Sequence, residues 1–214
     1  YYLHTHLIFI LNNKIMKQII LLLIILPFFF SCSNHIQEEN ADKLSWTKNA
    51  VMYEVNVRQF TPEGTFNAFS KHLTRIKELG VDIIWFMPIH EIGQVNRKGS
   101  LGSYYSIKDY RSINPEFGTL EDFNQLVKQI HELDMKVIID WVANHTSFDN
   151  VWVQEGNLDW YNLDSLGNLQ PPNGTDWWDV ADLNYENREM QNEMVNAMKF
   201  WLTESDIDLS LIHI

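Results

Sequence analysis

Three apolar runs of strand length, each followed by a stretch with helical spacing, constrain this chain more than any other feature. "AVMYEVNV" (Ala50 to Val57), "VDIIWFMP" (Val81 to Pro88) and "KVIIDWVA" (Lys136 to Ala143) read as strands, the second stopped by its proline. After the first, Phe66, Phe69, Leu73 and Ile76 mark one helical face, ended by Gly80. Thr119 with Asp122 three residues on predicts a capping box, and Leu120, Phe123, Val127 and Ile130 line the helix behind it. Met190, Met194, Met198 and Trp201 stripe a third helix, and at that spacing Met and Trp mean core. Three strand-helix units in series imply parallel strands with right-handed crossovers, either a (β/α)8 barrel or a doubly wound sheet.

Loop lengths add a functional pointer. The segments after the second strand (His90 to Gly118) and the third (His145 to Asn187) far exceed the usual few residues of a βα connection. Both leave the C-terminal ends of strands, the face on which barrels and open α/β sheets build their sites.

The third run raises a specific question, because it carries Asp140 within a β-branched strand and ends on Asn144 and His145. Strand alternation puts Asp140, Val142 and Asn144 on one face and Ile139, Trp141 and Ala143 on the other. A buried aspartate needs a cationic or hydrogen-bonding partner. At the strand's end, Asn144 offers an amide oxygen suited to a hard cation and His145 a donor for a polar substrate. A capped strand end with a satisfied Asn and His accounts for the pattern equally well.

Composition removes other classes. The 45% hydrophobic content can supply a core, and a formal charge of -12 without a basic run excludes nucleic acid as a partner. The single cysteine, Cys32, excludes an internal disulfide framework and a multi-cysteine zinc site. Common cofactor signatures are absent, and the "HEIG" and "HELD" segments at His90 and His131 lack the second histidine of a zinc protease.

The N-terminus reads as an address. From Met16 a lysine, an apolar run from Ile19 to Phe30 and the small Ser31 precede Cys32, the layout of a secretory signal. The run is shorter than the roughly 17 to 25 residues a membrane-spanning helix needs. A Cys after a small residue resembles a bacterial lipoprotein cleavage site, which implies a signal peptide at 16–31, lipidation of Cys32, export and membrane anchoring through the lipid. An ordinary cleaved signal with an incidental Cys is the alternative. Residues 32–45 read as a polar tether. Residues 1–15 read as spurious upstream translation.

Three motifs in register then match a known family. "DWVANH" (Asp140 to His145) resembles the third-strand signature of the α-amylase family of glycoside hydrolases. "GSYYSIKDY" (Gly102 to Tyr110) is similar to that family's loop after strand two, and "VADLN" (Val180 to Asn184) to its motif near the end of the strand-three insertion. The resemblance spans about Trp46 to Asp208. It implies a (β/α)8 barrel, here truncated after about three βα units, with a small domain inserted at roughly 145–186. It further implies a retaining hydrolase of α-glucans such as starch and maltooligosaccharides, with a transglycosylase as the close variant. A carbohydrate-binding lipoprotein on the same scaffold is the alternative from another class.

Carried over by position, Tyr105 would stack on the sugar at the cleavage subsite and His145 would hydrogen-bond its hydroxyls. Asp140 would be structural, pairing with an arginine on strand four. Asn144 and Asp182 match positions that bind calcium in some members. Trp177 and Trp178, in the inserted segment, are further candidates for sugar stacking. The nucleophile and the acid/base are expected beyond Asp208, where the family's strand-four motif gives way to "LSLIHI". That hexapeptide resembles a translated sequencing adapter, so 209–214 read as foreign and the chain is expected to be inactive by itself.

Overall fold

The structure is a computed structural model that describes residues 45–213. The expected upstream translation, the signal peptide, Cys32 and all but the last residue of the tether lie outside the described residues. The chain divides into two units, Tyr1–Ala50 and Val51–Ile214. The described part of the first contains a single 3-10 turn, Ser45–Thr47.

The second unit is built on a four-stranded parallel sheet of order β1-β2-β5-β8. Its strands are β1 (Met52–Val55), β2 (Ile83–Phe86), β5 (Lys136–Val142) and β8 (Leu209–His213). Register runs Met52 opposite Ile83, Ile83 opposite Lys136, and Asp140 opposite Leu211. Two small antiparallel pairs lie in the long loops: β3 (Glu91–Ile92) with β4 (Ile107–Asp109), and β6 (His145–Ser147) with β7 (Val180–Asp182).

Helices follow the expected stripes. Between β1 and β2 the helical face is split into Phe66–Ser70 and Leu73–Glu78, with Phe66, Phe69, Leu73 and Ile76 buried and Gly80 at φ +83°. The helix Leu120–Glu132 opens on the expected capping box, Thr119 and Asp122 satisfying each other's backbone N–H. The helix Arg188–Glu204 buries Met190, Met194 and Trp201, with Met198 half-buried against them.

The core lies between sheet and helices and is aromatic. Phe66, Phe69, Phe86 and Phe123 contact edge-on or tilted, with centroids 5.2 to 6.5 Å apart. Each fully buried Phe contributes on the order of 1.5–3 kcal/mol relative to exposure. The alternation read in the third run holds. Ile139 and Trp141 are in this core, with the Trp141 indole N–H on Met194 Sδ at 3.2 Å, whereas Asp140 receives the Tyr105 hydroxyl.

One expectation changes. The first strand ends at Val55, and Val57 instead begins the helical turn Val57–Phe60, with Asn56 as its N-cap. Val57 favours strands, but its buried side chain is accommodated in the first turn, so tertiary packing overrides propensity. Leu209–His213 form β8. An apolar, β-competent segment beside the outer edge of β5 takes up that strand's ladder bonds whatever its origin.

Candidate active site

The site is assembled by the loops at the C-terminal ends of β2 and β5. Tyr110, at the end of the hairpin β3–β4, is fully buried; its hydroxyl lies 2.6 Å from the Val142 carbonyl and 3.1 Å from that of His145. Its ring stacks on Trp141 at 5.1 Å, and Trp201 donates its indole N–H to the Tyr110 carbonyl at 2.7 Å. Tyr110 therefore pins the chain where β5 delivers Asn144 and His145. Burial pushes its phenol well above the ordinary value.

The hairpin is also tied to the inserted segment. Ser106 donates to the Asp179 carbonyl at 2.7 Å, and the buried Asn150 donates to that of Ile107 at 3.0 Å. Lys98 reaches the buried Asp179 carboxylate at 3.0 Å. Gly93 allows the close approach: a Cβ there would lie 2.2 Å from Ser147 Cβ.

These ties border an open-mouthed cavity of about 360 Å³, lined by Lys98, Tyr105, Val142, His145, Trp177 and Asp179 among others. Two residues singled out in the sequence as sugar contacts, Tyr105 and His145, thus meet at one cavity, and Trp177 joins them with its ring 5.5 Å from that of His145. Trp178 is 68% exposed and does not line the cavity. Tyr105 donates to Asp140 Oδ2 at 3.2 Å. Burial, reinforced by the Asp140 charge, raises the Tyr105 phenol far above its ordinary range, so it stays a protonated donor. Arg58 and Arg111 direct their guanidinium groups to Glu116 and Glu193.

Asn144 and Asp182 sit on adjoining segments, since His145 pairs with Asp182 across β6 and β7. The Asn144 amide nitrogen lies 3.2 Å from His145 Nδ1, which leaves its oxygen as a donor to a cation, and Asp182 accepts from Asn162 at 2.7 Å. Both are hard oxygen ligands of the kind calcium takes, but two side chains fall short of its about six to eight ligands. Among the described residues no group of three or more His, Cys, Asp or Glu is placed to hold a metal ion.

The sequence did not reveal Lys98, Ser103 and Asp179 as cavity residues, because ion pairs and walls formed between distant loops leave no local pattern. His90 is buried among Tyr110, Trp141 and Trp201. Burial pushes its imidazole down to about 4.

Comparison with known proteins agrees with this fold. The model of the α-amylase catalytic domain matches residues 25–209. Probable oligo-1,6-glucosidase 3 of Bacillus subtilis is 32% identical over 194 residues, covering 75% of this chain and 34% of that protein. Trehalose synthase of a Pimelobacter species is 33% identical over 73% of this chain and 32% of its own length. The crystal structure of an α-amylase from Lactobacillus plantarum superposes with a TM-score of 0.75 at 44% identity, covering 79% of this chain and 39% of that one. The maltogenic α-amylase AmyB of Thermotoga neapolitana gives 0.72 at 38% identity, over 78% of this chain and 39% of its own. The chain thus spans roughly a third of the length of these curated relatives. With a parallel sheet that forms part of a (β/α)8 barrel and a small insertion after the third strand, the chain belongs to the α-amylase family of glycoside hydrolases.

Proposed function

We propose that this chain is the N-terminal part of a retaining hydrolase of α-glucans, contributing the sugar-gripping rim of the site. The observation that carries the reading is the meeting of Tyr105, His145 and Trp177 at a single cavity at the C-terminal ends of the strands. An aromatic face and a nearby imidazole suit a glucosyl ring, which presents C–H groups on its faces and hydroxyls around its rim. Asp140 supports the Tyr105 hydroxyl and is the partner for an arginine supplied by the family's strand four. In this reading the two catalytic carboxylates of the retaining mechanism come from the strands that follow the third, so hydrolysis is assayed on the full-length protein.

The test is release of reducing ends from starch and maltooligosaccharides by the full-length protein. Hydrolysis with retention supports the reading, and loss of at least about a hundredfold in kcat/KM on Tyr105→Ala is expected for a residue at the reacting sugar. Binding without turnover would favour a carbohydrate-binding protein instead. Glucosyl transfer exceeding hydrolysis would favour a transglycosylase, in keeping with the trehalose synthase among the relatives.

Two further parts belong to the same reading. Calcium bound at Asn144 and Asp182 would raise the melting temperature on titration, an effect that Asp182→Asn should remove. Cys32 carries a lipid that anchors the exported protein to a bacterial membrane, so a Cys32→Ser variant should lose both palmitate labelling and the membrane fraction.

A further inference from the structure

The groups that hold Tyr105 at the cavity wall include one on a different element. Arg58 lies in the helical turn that follows β1, with its side chain only 15% exposed. Its Nε and Nη2 reach one Glu116 carboxylate oxygen at 3.1 and 2.8 Å. Nη2 also donates to the Leu101 carbonyl at 3.2 Å and Nη1 to that of Gly102 at 3.4 Å. The guanidinium carbon stands 4.4 Å from the centroid of the Tyr104 ring. Tyr104 in turn donates its hydroxyl to Asn56 Oδ1 at 2.9 Å. The segment leading into Tyr105 is therefore gripped at Leu101, Gly102 and Tyr104 by two residues just past the C-terminal end of β1.

Such a grip matters because the segment is intrinsically loose. Gly99 and Gly102 both have left-handed backbone, at φ +64° and +72°, and glycines leave a free loop many conformations to lose on ordering. A ring that stacks on a sugar helps only if its plane is set before the sugar arrives. Asp140 fixes the hydroxyl end of Tyr105, and the Arg58 fork fixes the backbone end. We infer that Arg58 is a positioning residue for sugar binding, acting through Leu101, Gly102 and Tyr104 on the Tyr105 ring. This rests on the proposed role of Tyr105 as a sugar contact. Lysine cannot replace it. One ammonium keeps the charge opposite Glu116 but loses the planar fork and the stack on Tyr104.

Two measurements on the full-length protein test the inference. Amide hydrogen exchange across residues 101–106 reads the grip itself and needs no activity; Arg58→Lys is expected to speed it about tenfold or more, a loss of local order worth one decade in the opening equilibrium. For catalysis, Arg58→Lys is expected to lower kcat/KM on maltooligosaccharides about tenfold or more, since small misplacements are costly at a reacting centre. In a Tyr105→Ala background the same substitution should change kcat/KM by less than about twofold, because residues acting through one another are not additive. A general structural role would instead make the two effects multiply, which overturns the inference, as does unchanged exchange in Arg58→Lys. Should Arg58→Lys fail to fold, Glu116→Gln loosens the same fork and is read against the same outcomes. A wild-type protein without α-glucan hydrolysis would sink the proposed function, while the exchange result would still decide whether Arg58 holds the segment.

Discussion

The Tyr105 hydroxyl donates to Asp140 Oδ2 at 3.2 Å, and through this bond an aromatic residue of the loop after β2 is registered against the middle of β5. Replacing Tyr105 by Phe keeps the ring but removes a donor from a fully buried carboxylate. The expected cost is about 1–3 kcal/mol in urea unfolding, with less loss of activity than in Tyr105→Ala, which also deletes the proposed stacking face.

Alkaline pH offers an independent check. Burial raises the phenols of Tyr105, Tyr110 and Tyr161 above the ordinary 10.0, so the folded state holds these protons more tightly than the unfolded state. Their contribution is fully present below pH 10.0 and is lost as pH climbs toward the folded values. Absorbance at the phenolate band should show these three titrating late and together with unfolding. Ionisation at the ordinary pH in the folded protein would contradict the buried placement.

His90 predicts the acid side. Its imidazole is pushed from 6.5 to about 4 by burial, and neither ring nitrogen makes a well-formed hydrogen bond, the Ser112 backbone offering a weak opposing pull. The unfolded chain therefore binds this proton more readily. Stability from His90 is complete above pH 6.5 and falls as pH drops toward 4, by an amount on the order of 3 kcal/mol over the whole window. His90→Phe, which keeps an aromatic ring against Tyr110, Trp141 and Trp201, should flatten this part of the curve in denaturation across pH. An unchanged slope would place the acid sensitivity elsewhere.

Asp208 adds a second acid-sensitive contact at the start of β8. Burial pulls its carboxyl up, but Lys136 at 2.8 Å, the Val137 N–H at 2.9 Å and His131 at 2.7 Å outweigh it and hold it below the usual 3.8. Its contribution is present above 3.8 and disappears as pH falls through the folded value. Asp208→Asn should lower the melting temperature at neutral pH and narrow the gap to wild type in strong acid. An equal gap at both pH values would exclude an ionic role.

Gly102 separates backbone geometry from side-chain chemistry. At φ +72° an added Cβ would sit 2.7 Å from Ile92 Cγ2 and 3.0 Å from Arg97 Nε. Gly102→Ala should cost more than the about 1 kcal/mol of an ordinary glycine effect and lower kcat/KM by displacing Tyr105. A variant with wild-type stability and activity would show that the segment tolerates another path.

Much of this was readable from the chain because it is written in periodicity. The Phe66–Ile76 face, the Thr119–Asp122 cap and the Met190–Trp201 stripe each record which side of an element is buried, and each recurs in the structure. Asp140 and His145 were visible for the opposite reason, as polar residues where the pattern calls for apolar ones. The turn at Val57 was hidden by its β-branched side chain, and Asn56 as N-cap was the available signal. Strands β3 and β4 are too short to show alternation. Lys98 with Asp179 and Arg58 with Glu116 are long-range pairs, and charge on a loop does not announce its partner.

The sheet's two outer strands have a further consequence. β1 and β8 carry Met52 (43% exposed), Leu209 (41%) and Ile212 (53%), and each has one flank without a partner strand among the described residues. Raw margins of that kind are adhesive, since a stray strand from any neighbour can add to them. Residues 45–213 produced alone should therefore drift into clumps, which light scattering would register before any assay of sugar.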